Sequence, residues 1–266
     1  MFHVDAFAAA PFAGNPAAVL LADRDPGDEL GQRLGAELNQ PATAVAWPAA
    51  EPGHFGLRWF TATAELGLCG HATLATARAL FDLGLGLDGQ LWFATAAGPL
   101  TAQASGDWIR LRLPALQPVP LADQFLGGQI RDLLAAPATE LLRNNLDVIA
   151  VLESPEHVRQ AQPDLQVLQR LPVRGLVITA SDDHDGADFV SRFFAPAIGV
   201  AEDAVTGSAH CALGPLWISR LQRQPLTGRQ LSARGGLVRV ELDGASVLLS
   251  GPAIVLADGS WYPLPP

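Results

Sequence analysis

The chain has few cysteines and no basic run, and both shortages narrow what it can be. Its 266 residues include only two cysteines, Cys69 and Cys211. Two are too few for a disulfide scaffold and fit a reducing compartment, although a bridge between this one pair stays open beside the commoner state of free thiols. No Lys/Arg-rich run interrupts a formal charge of −10 and a pI near 4.9, so nucleic acid and anionic membrane surfaces are poor partners. No segment reaches the length of a membrane span without charges or prolines. The opening Met1-Phe-His-Val-Asp-Ala-Phe7 lacks the basic flank and continuous apolar stretch of a signal peptide. No Gly-rich dinucleotide fingerprint or phosphate loop occurs. The expectation is a cytoplasmic protein that binds small molecules, with no membrane and no nucleic acid among its partners.

What the chain does have is apolar mass and an internal echo. A hydrophobic content of 49% with 17% charged residues is that of a well-buried globular protein of one large or two modest domains. The segment Glu65-Leu-Gly-Leu-Cys-Gly-His-Ala-Thr-Leu-Ala75 returns as Glu202-Asp-Ala-Val-Thr-Gly-Ser-Ala-His-Cys-Ala212 at a constant offset, which sets Glu65 on Glu202, Gly70 on Gly207, Ala72 on Ala209 and Ala75 on Ala212. In each copy a polar turn opens through a glycine into a run of Ala and Leu, the pattern of a helix start followed by a closely packed helix. Backbone N–H groups at such starts attract anions. Ordinary turn glycines in an Ala-rich chain are the plainer explanation of the same match.

Apolar alternation and turn residues place strands at Phe2–Phe7, Ala17–Leu21, Thr43–Trp47, Gly56–Phe60, Gln90–Ala94 and Trp108–Leu113, with helices from Asp28 to Leu38 and over 71–84. The cluster Pro114-Ala-Leu-Gln-Pro-Val-Pro120 reads as a stiff linker and suggests domains 1–116 and 117–254, with 255–266 returning to the first. The second half is expected to carry helices near 122–135, 157–170 and from Ser208, and strands at Asp147–Leu152, Gly175–Thr179, Leu237–Leu242 and Ser246–Leu249, with Asp243-Gly244 as a hairpin turn.

Val4-Asp-Ala-Phe7, Gly14-Asn-Pro16, Arg58-Trp-Phe-Thr61, Leu68-Cys-Gly-His-Ala-Thr73, Phe194-Ala-Pro196, Glu202-Asp-Ala-Val-Thr-Gly-Ser-Ala-His210 and Gln230-Leu-Ser-Ala-Arg-Gly-Gly236 occur in this order over nearly the whole chain. Together they resemble the phenazine-biosynthesis PhzF-like family. The resemblance implies an α/β (α+β) fold of the diaminopimelate epimerase type: two pseudo-symmetric domains, each a curled sheet around a central helix, with the active site between them. It also implies a homodimer and a cofactor-independent isomerase or epimerase, without metal, acting by proton transfer on a small carboxylate-bearing substrate. His71 would polarise the substrate, Asp203 would carry a proton, and Gly70, Gly207, Ser208 and Asn15 would bind.

One position departs from the pattern. Where the family usually reads Asn-Leu-Ser-Glu-Thr-Ala, with the glutamate as principal proton carrier, this chain reads Asn39-Gln-Pro-Ala-Thr-Ala44, so Ala42 stands in the glutamate's place and Pro41 in the serine's. The alanine side chain cannot move a proton, and the proline offers neither a hydroxyl nor an N–H. Three readings follow. Cys69 at the helix start can take over as base, since a thiolate is favoured there, against the plainer view of a small packing residue; Glu65 and Glu37 are weaker candidates. The protein can keep the cleft and bind without turnover. Least favoured, Cys69 and His71 can form a nucleophile pair with the Gly207-Ser208 amides as an oxyanion site, although residues one position apart need not face each other. Asp182-Asp-His-Asp185 has metal-ligand residue types and reads as a solvated loop. Arg234 suits either a substrate carboxylate or a turn salt bridge.

Overall fold

A computed structural model describes residues 1–134, 136–184 and 186–261. Asp185 of the acidic run, the last residue of the expected helix 122–135, and 262–266 of the expected C-terminal return lie outside the described residues. The chain divides into two compact units, residues 1–112 together with the described residues from 250 on, and residues 113–249.

The first unit runs β1 (Phe2–Ala6), β2 (Asn15–Leu21), α1 (Gly27–Leu38), β3 (Thr43–Pro48), β4 (His54–Phe60), β5 (Glu65–Leu66), α2 (Gly70–Asp82), β6 (Gln90–Thr95), β7 (Gly98–Ser105) and β8 (Trp108–Pro114). Its strands are ordered β1-β2-β3-β4-β6-β7-β8. The pairs β2–β3 and β4–β6 are parallel, so each needs a helical crossover, and α1 and α2 supply them. The crossovers differ in depth. On α1, Gly31 and Gly35 sit one turn apart; a Cβ on Gly31 would lie 2.2 Å from the Phe60 ring and one on Gly35 2.5 Å from the Thr61 carbonyl, so only glycine lets the helix lie on β4. Leu34 and Leu38 then pack over Leu20, Val45 and Phe60. By contrast α2 is buried from His71 to Ala77 on every face and packs against β1, β2, β3 and β7, as an apolar helix wrapped by a sheet must.

The second unit repeats this plan with β9 (Val119–Pro120), α3 (Gln124–Leu134), β10 (Ala138–Arg143), β11 (Asp147–Leu152), α4 (Pro155–Gln160), α5 (Leu165–Leu168), β12 (Gly175–Ser181), β13 (Phe189–Phe194), a 3-10 turn at Pro196–Ile198, α6 (Gly207–Leu221), β14 (Leu226–Gln230), β15 (Gly236–Asp243) and the start of β16 (Ser246–Asp258), which from Ser250 on belongs to the first unit. Parallel pairs β11–β12 and β13–β14 are again bridged by helices, α4 with α5 and then α6. Helix α6 is buried from Ala209 to Trp217 and carries Pro215 in its interior. A proline there cannot bond the carbonyl four residues back. That carbonyl, on Cys211, instead accepts the Leu116 N–H at 3.0 Å.

Several expectations need correction. The helix expected over 157–170 is two short ones: Ser154 caps α4, Asp164 caps α5 through Gln166 and Val167, and Pro163 between them removes a donor and turns the preceding residue away from helix. The strands β7, β10, β13 and β14 have no counterpart in the sequence reading, because their apolar alternation is weak or interrupted. The last strand does not stop at Leu249. It runs on through Gly251-Pro252, whose carbonyl takes the Ala8 N–H at 3.1 Å, and pairs with β1 from Ala6↔Ala253 to Phe2↔Asp258. The proline-rich stretch expected as a linker is hydrogen-bonded into the second unit through Ala115, Leu116 and Leu121.

Candidate functional site

In the first unit, the residues singled out from the sequence gather at the start of α2. Cys69 is the N-cap, with extended backbone (φ −142°, ψ 101°) and no side-chain cap. The extended cap followed by two helical residues swings the Cys69 thiol back over the His71 ring, and Sγ lies 3.5 Å from Nδ1 and 3.9 Å from Nε2. Residues separated by one position need not face each other, and these two do because the backbone changes conformation between them. Both side chains are largely covered, Cys69 6% and His71 9% exposed. Asn15 opens β2 opposite Ala6 and is fully buried. Ala42 precedes β3; it is fully buried, and its carbonyl accepts the Ala18 N–H at 3.1 Å.

In the second unit, Asp203, Gly207 and Ser208 surround the start of α6. Thr206, the extended N-cap, donates its hydroxyl to Asp203 Oδ2 at 2.6 Å, and the Asp203 N–H bonds the Phe193 carbonyl at 3.0 Å. Gln230 braces this loop from β14. Its buried amide accepts the Thr206 N–H at 2.9 Å and donates to the Asp203 carbonyl at 2.8 Å and the Thr206 hydroxyl at 3.2 Å. Ser232, two residues on, donates to the Ala204 carbonyl at 2.7 Å. Gln230 and Ser232, of the motif from Gln230 to Gly236, thus support the loop that presents Asp203.

Ser208 accepts a hydrogen bond from Arg174 Nη2 at 3.0 Å, and the same guanidinium holds Asp147 in a two-point pair of 2.8 and 2.5 Å. The Asp147 side chain is fully buried; burial pushes its carboxyl pKa up, and the Arg174 contact opposes that rise. Sequence reasoning missed Arg174 and Asp147, and no motif flags them: one precedes a strand and the other begins one. His210, within α6, donates its Nδ1–H to the Thr206 carbonyl at 2.8 Å, and complete burial lowers its pKa to about 4, which favours the neutral ring. Cys211 beside it is buried and its thiol is pushed up to about 12. Both cysteines are free, which removes the bridge left open above.

Among the described residues, one cavity lies away from these helix starts and another beside the Arg174 that reaches Ser208. One of about 580 Å³ is in the first unit at the far end of α2, lined by Leu80, Leu85, Leu87, Leu21 and His54. Another of about 260 Å³ is in the second unit, walled by Asn144, Asp147 and Arg174. Among the described residues, the one cluster with metal-ligand types is Asp182, Asp183 and His184, on an exposed loop where Asp182 spends its side chain on the Asp183 and His184 N–H groups. No helix among the described residues is long and apolar enough to cross a membrane.

Two units of like plan, each with a buried helix that opens at a glycine beside polar side chains, define a two-fold repeated α+β architecture of the epimerase type. The profile of the phenazine biosynthesis-like protein family matches residues 4–259, and the chain belongs to that family. A Pseudomonas aeruginosa protein named as an uncharacterized isomerase is 41% identical over 259 residues, covering 97% of each chain. The human phenazine biosynthesis-like domain-containing protein is 36% identical, covering 96% of each. The crystal structure of a PhzF-family protein from Enterococcus faecalis superposes with a TM-score of 0.88 at 34% identity over 98% of each chain. A hydroxyproline epimerase from Agrobacterium vitis, covering 96% of this chain and 90% of its own, shares the fold alone, at a TM-score of 0.58 and 14% identity.

Proposed function

We propose that the protein is a cofactor-independent isomerase or epimerase of the PhzF-like type that moves a proton on a small carboxylate-bearing metabolite. The observation that carries this is the thiol–imidazole pair at the start of α2, Cys69 Sγ 3.5 Å from His71 Nδ1. With alanine at position 42, that pair supplies what the missing glutamate would have supplied on the first unit: a group able to accept and return a proton at carbon. Asp203, steadied by Thr206 and Gln230, is the carboxylate carrier on the second. Neither N-cap residue, Cys69 or Thr206, turns its own side chain onto the N–H groups of the helix it opens. The backbone N–H groups at Gly70 and Gly207 are therefore suited to the substrate carboxylate and to the negative charge that builds as the proton leaves. The names borne by relatives of 41% and 36% identity, both called uncharacterized isomerases, support the reaction class. A cytoplasmic homodimer completes the reading, with the mass in solution as its check.

A second reading is favoured by Ala42 itself, a fully buried methyl where a proton carrier is usual: the protein binds the metabolite without turning it over. One experiment separates the two. Candidate carboxylates are incubated with the protein in deuterated water and followed by NMR. Deuterium at carbon supports catalysis; its loss in Asp203→Asn, and in Cys69→Ser with binding retained, assigns the two carriers. Exchange that persists in both variants removes both assignments. Binding without exchange in the wild type leaves the second reading.

A further inference from the structure

The echo between the two halves extends beyond the helix starts. In the first unit, Arg58 on β4 grips Glu65 at two points, Nε to Oε1 at 2.8 Å and Nη2 to Oε2 at 2.7 Å. Its guanidinium lies 5.1 Å from the centroid of the Phe60 ring. In the second unit, Arg192 on β13 grips Glu202 in the same fashion, 2.7 Å from Nε and 3.0 Å from Nη2, with the guanidinium 4.8 Å from the Phe194 ring centroid. Each arginine stands two residues before its phenylalanine, and each glutamate five residues before the first helical glycine, Gly70 or Gly207. Each arginine also reaches the outer helix of its own unit. Arg58 bonds Asp25 at 3.1 Å and Asp28, in the first turn of α1, at 2.6 Å. Arg192 bonds the carbonyls of Val158, Arg159 and Ala161 at the end of α4, the last at 2.6 Å.

We infer that Arg58–Glu65 and Arg192–Glu202 are paired positioning clamps that fix the loops leading into α2 and α6, and so hold Cys69-Gly70-His71 and Thr206-Gly207-Ser208 in working geometry. A two-point guanidinium–carboxylate contact fixes both distance and plane, which a lysine or a single hydrogen bond does not. Stability alone does not account for the arrangement. The glutamates are partly exposed, at 38% and 24% of the side chain, beside arginines exposed only 15% and 13%, so each two-point pair with its further partners adds some stability to its unit. The same pair nevertheless occurs at the same distance from the same helix start in both units, on different outer-helix partners. What the two clamps share is the phenylalanine ring beneath the guanidinium and the loop that the glutamate begins. Neither glutamate needs to touch substrate; each acts through the residues that follow it.

As a statement about turnover this rests on the proposed isomerase reading, so the experiment has one arm independent of it. Glu65→Gln and Glu202→Gln remove one charge at nearly constant shape, Arg58→Lys and Arg192→Lys keep the charge but lose the two-point grip, and Asp82→Asn, which breaks the Arg78 pair at the other end of α2, is the control. Amide hydrogen exchange is followed peptide by peptide, with thermal midpoints alongside. The expected result is exchange faster by about 10-fold or more, confined to residues 66–71 for the first clamp and 203–208 for the second, with midpoints near the wild type and the control silent. In the deuterium-incorporation assay, the turnover rate falls by about 10- to 100-fold while the concentration for half-saturation changes little. Exchange that rises evenly across the unit together with a lower midpoint, or loops that do not change, would overturn the inference. A wild type that incorporates no deuterium from any carboxylate defeats the isomerase reading, and the exchange arm still decides the clamps.

Discussion

His210 is the residue whose chemistry the fold alters most. It lies wholly inside α6, its Nδ1 is engaged by the Thr206 carbonyl, and burial lowers its pKa from 6.5 to about 4. An unfolded histidine takes up a proton near pH 6.5, whereas this one does not until about pH 4, so below 6.5 the unfolded chain binds more protons than the folded one. The histidine's share of stability is therefore whole above pH 6.5 and is lost as pH falls toward 4, by about 3 kcal/mol across that window. Urea unfolding at pH 7 and pH 4 checks this. The wild type should lose about 3 kcal/mol more than His210→Gln between those values; equal losses would mean that the ring is hydrated or already charged in the folded protein. The glycines, the histidine and the cysteine at the helix starts were legible in the sequence because a repeat set them off. Arg174 and Asp147 were not, since a part-buried pair between the start of one strand and the residue before another leaves no spacing to read.

At the scale of elements, α6 shows how a local defect is put to use. Pro215 denies the Cys211 carbonyl its helical partner, and a buried carbonyl left without a donor costs about 1–3 kcal/mol. Leu116 supplies the donor at 3.0 Å and thereby ties the proline-rich segment after β8 to the central helix of the second unit. Leu116→Pro removes that N–H and should destabilise the protein by about 1–3 kcal/mol beyond Leu116→Ala, which loses the side chain and keeps the bond. Equal midpoints in denaturant for the two variants would show that the carbonyl is served some other way. The sequence displayed the prolines and invited the reading of a linker. Only the pairing of a helix carbonyl with a residue some hundred positions earlier shows the segment to be part of a packed unit. Helices α1, α2 and α6 are legible within a residue or two from apolar spacing and glycine starts, whereas the spacing over 157–170 reads as one helix that Pro163 divides into α4 and α5.

Across the molecule, one strand serves both units. β16 begins in the second unit at Ser246, and from Ala253 to Asp258 it pairs with β1 of the first. Strand β1 has β2 on one edge and β16 on the other, and α2 packs against both β1 and β2. Ending the chain after Leu249 would therefore leave β1 with an open edge and uncover Val4 and Ala6, which are fully buried. The helix that carries Cys69 and His71 would lose part of the wall it rests on. Amide exchange in the truncated chain should show lost protection in residues 2–6 and 70–82, while β11 and β12, which lie centrally in the second unit and make no bond to the deleted strand, keep theirs. If β11 and β12 also exchange freely, the two units fold as a single cooperative body and the C-terminal strand is the element that joins them. If β1 and α2 stay protected, the first unit does not depend on its returning strand, and the five paired positions between Phe2 and Ala6 contribute little to holding the helix start in place.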